Sequence, residues 1–331
     1  MTAKYRTTFI AASLLGAIIS APATGQSPAA APVANERYEW VTLGTQGGPM
    51  PSLERHEPAN ALIRRGNAIL IDTGDGAITQ YVGAGGRFPW LSAVFISHLH
   101  FDHTAGLFAV LGLRAQTHTE KPLTIYGPPG TKQLVAGLVE ATRPGTQSGY
   151  GVDGEVEFKG DQNLTVVELT DGASVTVGDI TVKAAKNTHY SFAPGSDLDK
   201  KYQSLSFRFD LPDRSIVYTG DTGPSKAVEA LGKGADMLVS EMIDLDATMA
   251  NVARRAPDMD PKTRADMATH LRTHHLTTKD IGAMAAAMGV RNVVMTHFAG
   301  GTDPQKVSGY ASEVQSLFKG DVVVANDLDR F

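Results

Sequence analysis

Ser92-Ala93-Val94-Phe95-Ile96-Ser97-His98-Leu99-His100-Phe101-Asp102-His103 decides how this chain is read. The first six residues form a short apolar run, which predicts a buried strand over Ser92 to Ser97. Thr104 to Leu113 then carries a helical pattern. Between them stand three imidazoles and a carboxylate within six residues. A loop from strand to helix aims several side chains at one point while rigid elements hold it. Buried imidazoles and carboxylates must be paired or bound to a cation. Zinc accepts both donor types at roughly 2.0–2.2 Å.

Outward from that run the chain mixes strand and helix patterns. Tyr38 to Leu43 reads as a strand. Ala61 to Arg64 and Ala68 to Asp72 flank the turn Arg65-Gly66-Asn67, a hairpin signal. Leu123 to Tyr126 predicts a strand, and Thr131 to Ala141 a helix. Short β-type runs over 164–187 suggest a meander. Ser204 to Asp210 and Ser215 to Thr219 make a second hairpin. Ser225 to Leu231 reads as a helix, followed by strands at Met237 to Ser240 and Val293 to Met295. The clearest helix is Thr278 to Met288, opened by a capping box from Thr277 to Asp280 and closed by Gly289. A helix over Gln305 to Phe318 and a strand over Asp321 to Ala325 complete the pattern. The glycine-rich residues 143–163 read as a mobile surface loop, and 246–273 as a polar helical lid.

Composition narrows the chemistry. The chain has 331 residues, 42% hydrophobic and 20% charged, with a formal net charge of -5 and no cysteine. No disulfide and no thiolate ligand or nucleophile is available, so a metal site must use histidine and carboxylate. That donor set suits zinc, manganese or iron. Residues 1–25 place Lys4 and Arg6 ahead of the apolar run Phe9 to Ile19, and Ala23-Thr24-Gly25 fits a cleavage site before Gln26. This is the pattern of a secretory signal peptide. It predicts a periplasmic or secreted protein, and the run is too short for a stable membrane anchor. Residues 26–36 read as a disordered spacer, leaving 37–331 as one folded domain.

His98-Leu99-His100-Phe101-Asp102-His103 resembles the His-x-His-x-Asp-His signature of the metallo-β-lactamase superfamily. The resemblance extends over most of residues 38 to 300. It implies an α+β fold, the four-layer αβ/βα sandwich, with the site at one edge where loops of both sheets meet. By the same resemblance His189, in Asn187-Thr188-His189-Tyr190, completes a first metal site with His98 and His100. His297, in Met295-Thr296-His297, completes a second with Asp102 and His103. Asp221, in Thr219-Gly220-Asp221-Thr222, reaches both. Two zinc ions are implied, with manganese or iron as alternatives. Two cations about 3.5–4 Å apart lower the pKa of a shared water and make a bridging hydroxide available.

Leu43-Gly44-Thr45-Gln46-Gly47-Gly48-Pro49, Ile71-Asp72-Thr73-Gly74-Asp75-Gly76 and His275-Leu276-Thr277 are similar to the ribonuclease Z and arylsulfatase-like branch. That similarity implies His275 as a general acid acting beside Asp102. It implies Asp72 as the residue that orients a ligand histidine. The acidic net charge and the leader argue against a polyanion. The expected substrate is therefore a small phosphodiester or aryl sulfate, with no nucleic acid partner. A β-lactam or lactone hydrolase is the alternative, and a metal-binding protein without catalysis is a further one. Oligomeric state is open at this stage.

Overall fold

The computed structural model describes residues 36–155, 157–299 and 306–331. The expected signal peptide, and the expected spacer up to residue 35, lie outside the described residues.

Along the chain run β1 (Glu39–Gly44), β2 (Gln46–Gly47), β3 (Ala59–Arg64), β4 (Asn67–Thr73), α1 (Ala77–Gly83), β5 (Leu91–Phe95), α2 (Phe101–Thr104), α3 (Leu107–Gln116), β6 (Leu123–Gly127) and α4 (Thr131–Ser148). There follow β7 (Leu164–Glu168), β8 (Ser174–Val177), β9 (Ile180–Lys186), α5 (Asp197–Lys201), β10 (Leu205–Asp210), β11 (Ser215–Tyr218), α6 (Lys226–Leu231) and β12 (Met237–Ile243). The last elements are α7 (Leu245–Arg255), α8 (Pro261–His274), α9 (Thr278–Met288), β13 (Asn292–Ala299), α10 (Val307–Gln315) and β14 (Asp321–Val324).

One sheet has the order β1-β3-β4-β5-β6-β7, and the other β14-β13-β12-β11-β10-β9-β8, with β2 on β13. Each is antiparallel at one end and parallel at the other. β4 to β7 pair in parallel, as do β11 to β14.

Side-chain alternation builds the layers. In β4, Ala68 and Leu70 join a core beneath helices, while Ile69 and Ile71 face the opposite sheet. In β11, Ile216 and Tyr218 face the first sheet, and Val217 lies under the other helices. Both faces of these strands are covered, so they read as continuous apolar runs rather than alternating ones. The result is helix, sheet, sheet, helix: the expected αβ/βα sandwich. Phe95 marks the middle of the inner layer. It stacks on Tyr126 at 4.6 Å and meets Phe207 and Phe209 edge-on at 5.5 Å. Such pairs each contribute about 0.5–1.5 kcal/mol beyond burial.

Three expectations are corrected. Residues 143–148 are the last turns of α4, not a loop; the helix passes through Pro144, and hydroxyls of Thr146 and Ser148 cap carbonyls three residues back. Residues 164–187 are not one meander. β7 adds in parallel to β6 in the first sheet, and only β8 and β9 form a hairpin in the second. The predicted helix Thr104 to Leu113 is two, α2 and α3, separated at Ala105-Gly106. A Cβ on Gly106 would fall 2.4 Å from the Gly74 carbonyl oxygen, so only glycine fits that packing. Among the described residues no helix is long and apolar enough to cross a membrane.

Candidate metal centre

The predicted ligands collect at one edge of the sandwich, where the parallel-paired strands β5 and β11 deliver loops at their carboxyl ends. The run after β5 carries His98, His100, Asp102 and His103. At this edge the two sheets touch directly: Leu205 N, at the start of β10, donates to Ser97 O at 2.9 Å. His189 follows β9, Asp221 follows β11, and His297 lies within β13. Two residues of β13, Thr296 and His297, oppose Glu241 alone on β12. At this bulge His297 takes a φ of 44°, and its ring reaches the centre.

The predicted ligands converge as two trios. His98 Nε2 and His189 Nε2 lie 3.0 and 3.1 Å from His100 Nδ1. His103 Nε2 lies 3.2 Å from His297 Nε2, and Asp102 Oδ2 is 3.5 and 3.7 Å from those two atoms. Asp221 divides its oxygens between them. Oδ1 is 3.0 Å from His297 and 3.2 Å from His103, while Oδ2 is 3.9 Å from both His98 and His189. Ligands about 2.05 Å from a tetrahedral ion stand roughly 3.3 Å apart, so these spacings fit a divalent cation in each trio.

The outer shell sets the tautomers. His103 Nδ1 donates to Asp72 Oδ2 at 2.8 Å, and His189 Nδ1 donates to the His274 carbonyl at 3.3 Å. Both rings therefore turn Nε2 inward, the atom that would ligate a cation. Asp72 also accepts from Ser97 N, Ser97 Oγ and Tyr218 OH at 2.7–2.8 Å, which places it in the orienting role expected of it. Asp221 Oδ1 is buried and crowded by two imidazole Nε2 atoms without a well-aligned hydrogen bond to either, which a cation between them would remedy. The donor set and this orphaned oxygen fit the two-metal expectation.

Charge is unevenly spread. Burial holds His98 well below the ordinary histidine value and His189 at about 3. Burial also opposes charge on His103 and His297, yet the neighbouring carboxylates, Asp221 foremost, outweigh it. His103 is held well above its usual value and His297 is raised to about 10. Burial would raise Asp221, but His297 and His103 keep its carboxyl well below the carboxylate range. Negative potential thus gathers where a cation would sit.

Backbone also crowds the centre. Gly48 N donates to Asp102 Oδ2 at 3.0 Å, and a Cβ on Gly48 would fall 2.3 Å from that oxygen. A Cβ on Gly47 would press on Ala299 and His297. The Gly47-Gly48 pair is what lets this loop reach the ligands.

His275 is buried beside the trios. Its Nδ1 is 2.7 Å from Glu241 Oε2, and its ring lies 5.2 Å from that of His189. Burial works against its charge, but Glu241 outweighs it and raises the His275 pKa. Reading the sequence did not single out Glu241. Its signal was there: one carboxylate inside the strand Val239-Ser240-Glu241-Met242-Ile243, the only charged residue of an otherwise uncharged run, which needs a buried partner.

A cleft of about 1280 Å³ opens over the centre. The 46–55 loop lines one side, and α7 and α8 the other, through Val252, Arg254, Arg255, Met267 and His270. The expected lid segment is thus a wall of the cleft.

Residues 67–298 match the family model described as the beta-lactamase superfamily domain. Ribonuclease Z of Mycolicibacterium paratuberculosis is 30% identical over 297 residues, covering 88% of this chain and 96% of the relative. The metallo-beta-lactamase fold protein YhfI from Bacillus subtilis superposes with a TM-score of 0.62 at 18% identity, covering 90% of this chain and 99% of that one. Human tRNase Z, short form, gives 0.60 at 21% identity, covering 88% and 98%.

These relatives overturn the expectation that excluded nucleic acid. Proteins matching most of the chain are named for cleaving RNA. Net charge averages over the whole surface, whereas a phosphodiester meets the local field of the cleft, rimmed here by the exposed Arg254 and Arg255.

Proposed function

The chain belongs to the metallo-β-lactamase superfamily, in its ribonuclease Z branch, and on that premise we propose that it is a two-metal phosphodiesterase that cleaves RNA-type phosphodiester bonds. The observation that carries this reading is Asp221, with one oxygen toward each ligand trio. Zinc is the first choice of ion for such His/Asp sites. Bound ions would supply Lewis acidity and a water activated near neutral pH.

The protein's own groups do the rest. Asp72 fixes the ring of His103, and the His274 carbonyl fixes that of His189. His275, gripped at Nδ1 by Glu241, keeps its Nε2 for the leaving oxygen, to which it gives a proton. Arg254 and Arg255 at the rim attract the polyanionic chain. The leader pattern of residues 1–25 supports action outside the cytoplasm. N-terminal sequencing of the protein recovered from the cell envelope tests this, with Gln26 expected first.

Purified protein with two equivalents of zinc should hydrolyse bis(p-nitrophenyl) phosphate and cut a short single-stranded RNA. Asp221→Asn should abolish both and reduce bound metal. Turnover of nitrophenyl sulfate or a chromogenic β-lactam, with none of either phosphodiester, would overturn the reading.

A further inference from the structure

On the wall of the cleft, one turn apart on α8, stand His270 and His274. Their Nδ1 atoms are 2.8 Å apart, so a single proton is shared along that contact. His274 is buried, and its Nε2 has no hydrogen-bond partner. His270 is exposed and lines the cleft. Its ring is 6.1 Å from that of His189 and 6.1 Å from that of His275.

Proton accounting decides the tautomers. If His270 Nδ1 were the donor, His274 would carry its proton at Nε2, leaving a buried N–H with nothing to receive it. A buried N–H left without any acceptor loses its full hydration, and native structures rarely contain one. The proton between the rings therefore belongs to His274. His270 Nδ1 accepts it, and the proton of His270 sits at Nε2. His270 itself lines the cleft, so this N–H is offered to a group bound there. The same accounting disfavours a doubly protonated His270, which would again force a proton onto His274 Nε2.

We propose that His270 is a substrate-binding residue whose Nε2–H is a fixed hydrogen-bond donor to a non-bridging phosphate oxygen of the phosphodiester at the metal centre. The identity of the ligand rests on the function proposed above; the donor itself does not. His270 stands as close to a first-trio ligand as to the proton donor His275. A phosphoryl group between them meets the metal ligands on one side and His270 on another. Its role differs from that of His275: it holds an oxygen and transfers no proton.

The test has two parts. In zinc-loaded protein labelled with 15N-histidine, long-range 1H–15N spectra should show a pyridine-type Nδ1 and a pyrrole-type Nε2 for His270. The reverse pattern overturns the proposal without reference to activity. The second part uses His270→Gln, whose amide nitrogen falls near the Nε2 position, and His270→Asn, whose amide falls near Nδ1. His270→Asn should weaken binding of inorganic phosphate and raise KM for bis(p-nitrophenyl) phosphate on the order of 10- to 100-fold, the usual loss for a hydrogen bond to a charged group. kcat should change much less, and both zinc ions should remain. His270→Gln should recover most of the loss. Equal behaviour of the two variants, or unchanged phosphate binding in both, refutes the donor role. If the wild type bound phosphate through His270 yet cleaved no phosphodiester, the functional reading would fail and the donor would stand.

Discussion

At the residue scale, much of the site was written in a few side chains. Three histidines and an aspartate in six residues gave the centre, and the structure brings His189, Asp221 and His297 to it. Asp72 was also legible, because an aspartate ending an apolar strand just short of glycine needs a buried use. It accepts four hydrogen bonds, one from His103. Asp72→Asn should lower affinity for the second metal roughly 10- to 100-fold, as loss of an outer-shell partner does. A zinc titration with a competing chelator measures this, and unchanged affinity for both ions would contradict it. Glu241 was missed because its partner, His275, is 34 residues away and no local pattern joins them. Its effect is on pH. Glu241 raises the pKa of His275, so its acid form persists to higher pH; with His275 as the proposed proton donor, the rate for substrates with poor leaving groups should fall only as pH passes that raised value. Glu241→Gln removes the anion, so the alkaline limb should move to lower pH. Rates with nitrophenolate leaving groups, which need no proton, should show no such shift.

At the scale of elements, legibility followed how local the determinants were. α9 was read to the residue, since its capping box and its glycine stop lie in sequence beside it. Asp280 N donates to Thr277 Oγ1 at 3.3 Å, and Thr277 N donates to Asp280 Oδ2 at 3.0 Å. Thr277→Ala should cost about 1 kcal/mol, seen as a lower urea midpoint with an unchanged slope. Activity at saturating zinc should hold, because Ile243 N still donates to the Leu276 carbonyl and keeps His275 in place. The end of α4 was not legible. Pro144, Gly145 and Gly149 are breaker residues, yet the helix runs through the first two and ends only at Gly149, and the hydroxyls of Thr146 and Ser148 bond carbonyls of its last turns. The turn at Asp171-Gly172 was ambiguous for a similar reason. The same turn chemistry serves a strand that pairs with its predecessor and one that crosses to the other sheet.

At the scale of the whole molecule, the ligands bind the layers together. His98, His100, Asp102 and His103 extend from the first sheet, whereas His189, Asp221 and His297 belong to the second. Periodicity could show that both faces of these strands are buried, but strand order depends on contacts distant in sequence. The family resemblance supplied what periodicity could not. Metals held by both sheets would act as a clamp across the sandwich edge, binding the folded chain in preference to the unfolded one. Each site filled at a hundredfold excess over its Kd stabilises the fold by about 2.7 kcal/mol. For a chain of this size a kilocalorie moves Tm by roughly 2 °C, so stripping both ions should lower Tm on the order of 10 °C. Asp221→Asn, which disturbs both trios, should lose most of the zinc-dependent rise. His270→Asn, outside both trios, should keep it. Scanning calorimetry at fixed zinc reads all three. A wild-type Tm indifferent to chelator would mean that the histidines converge without holding an ion, and the sheets would then be joined by their apolar interior alone.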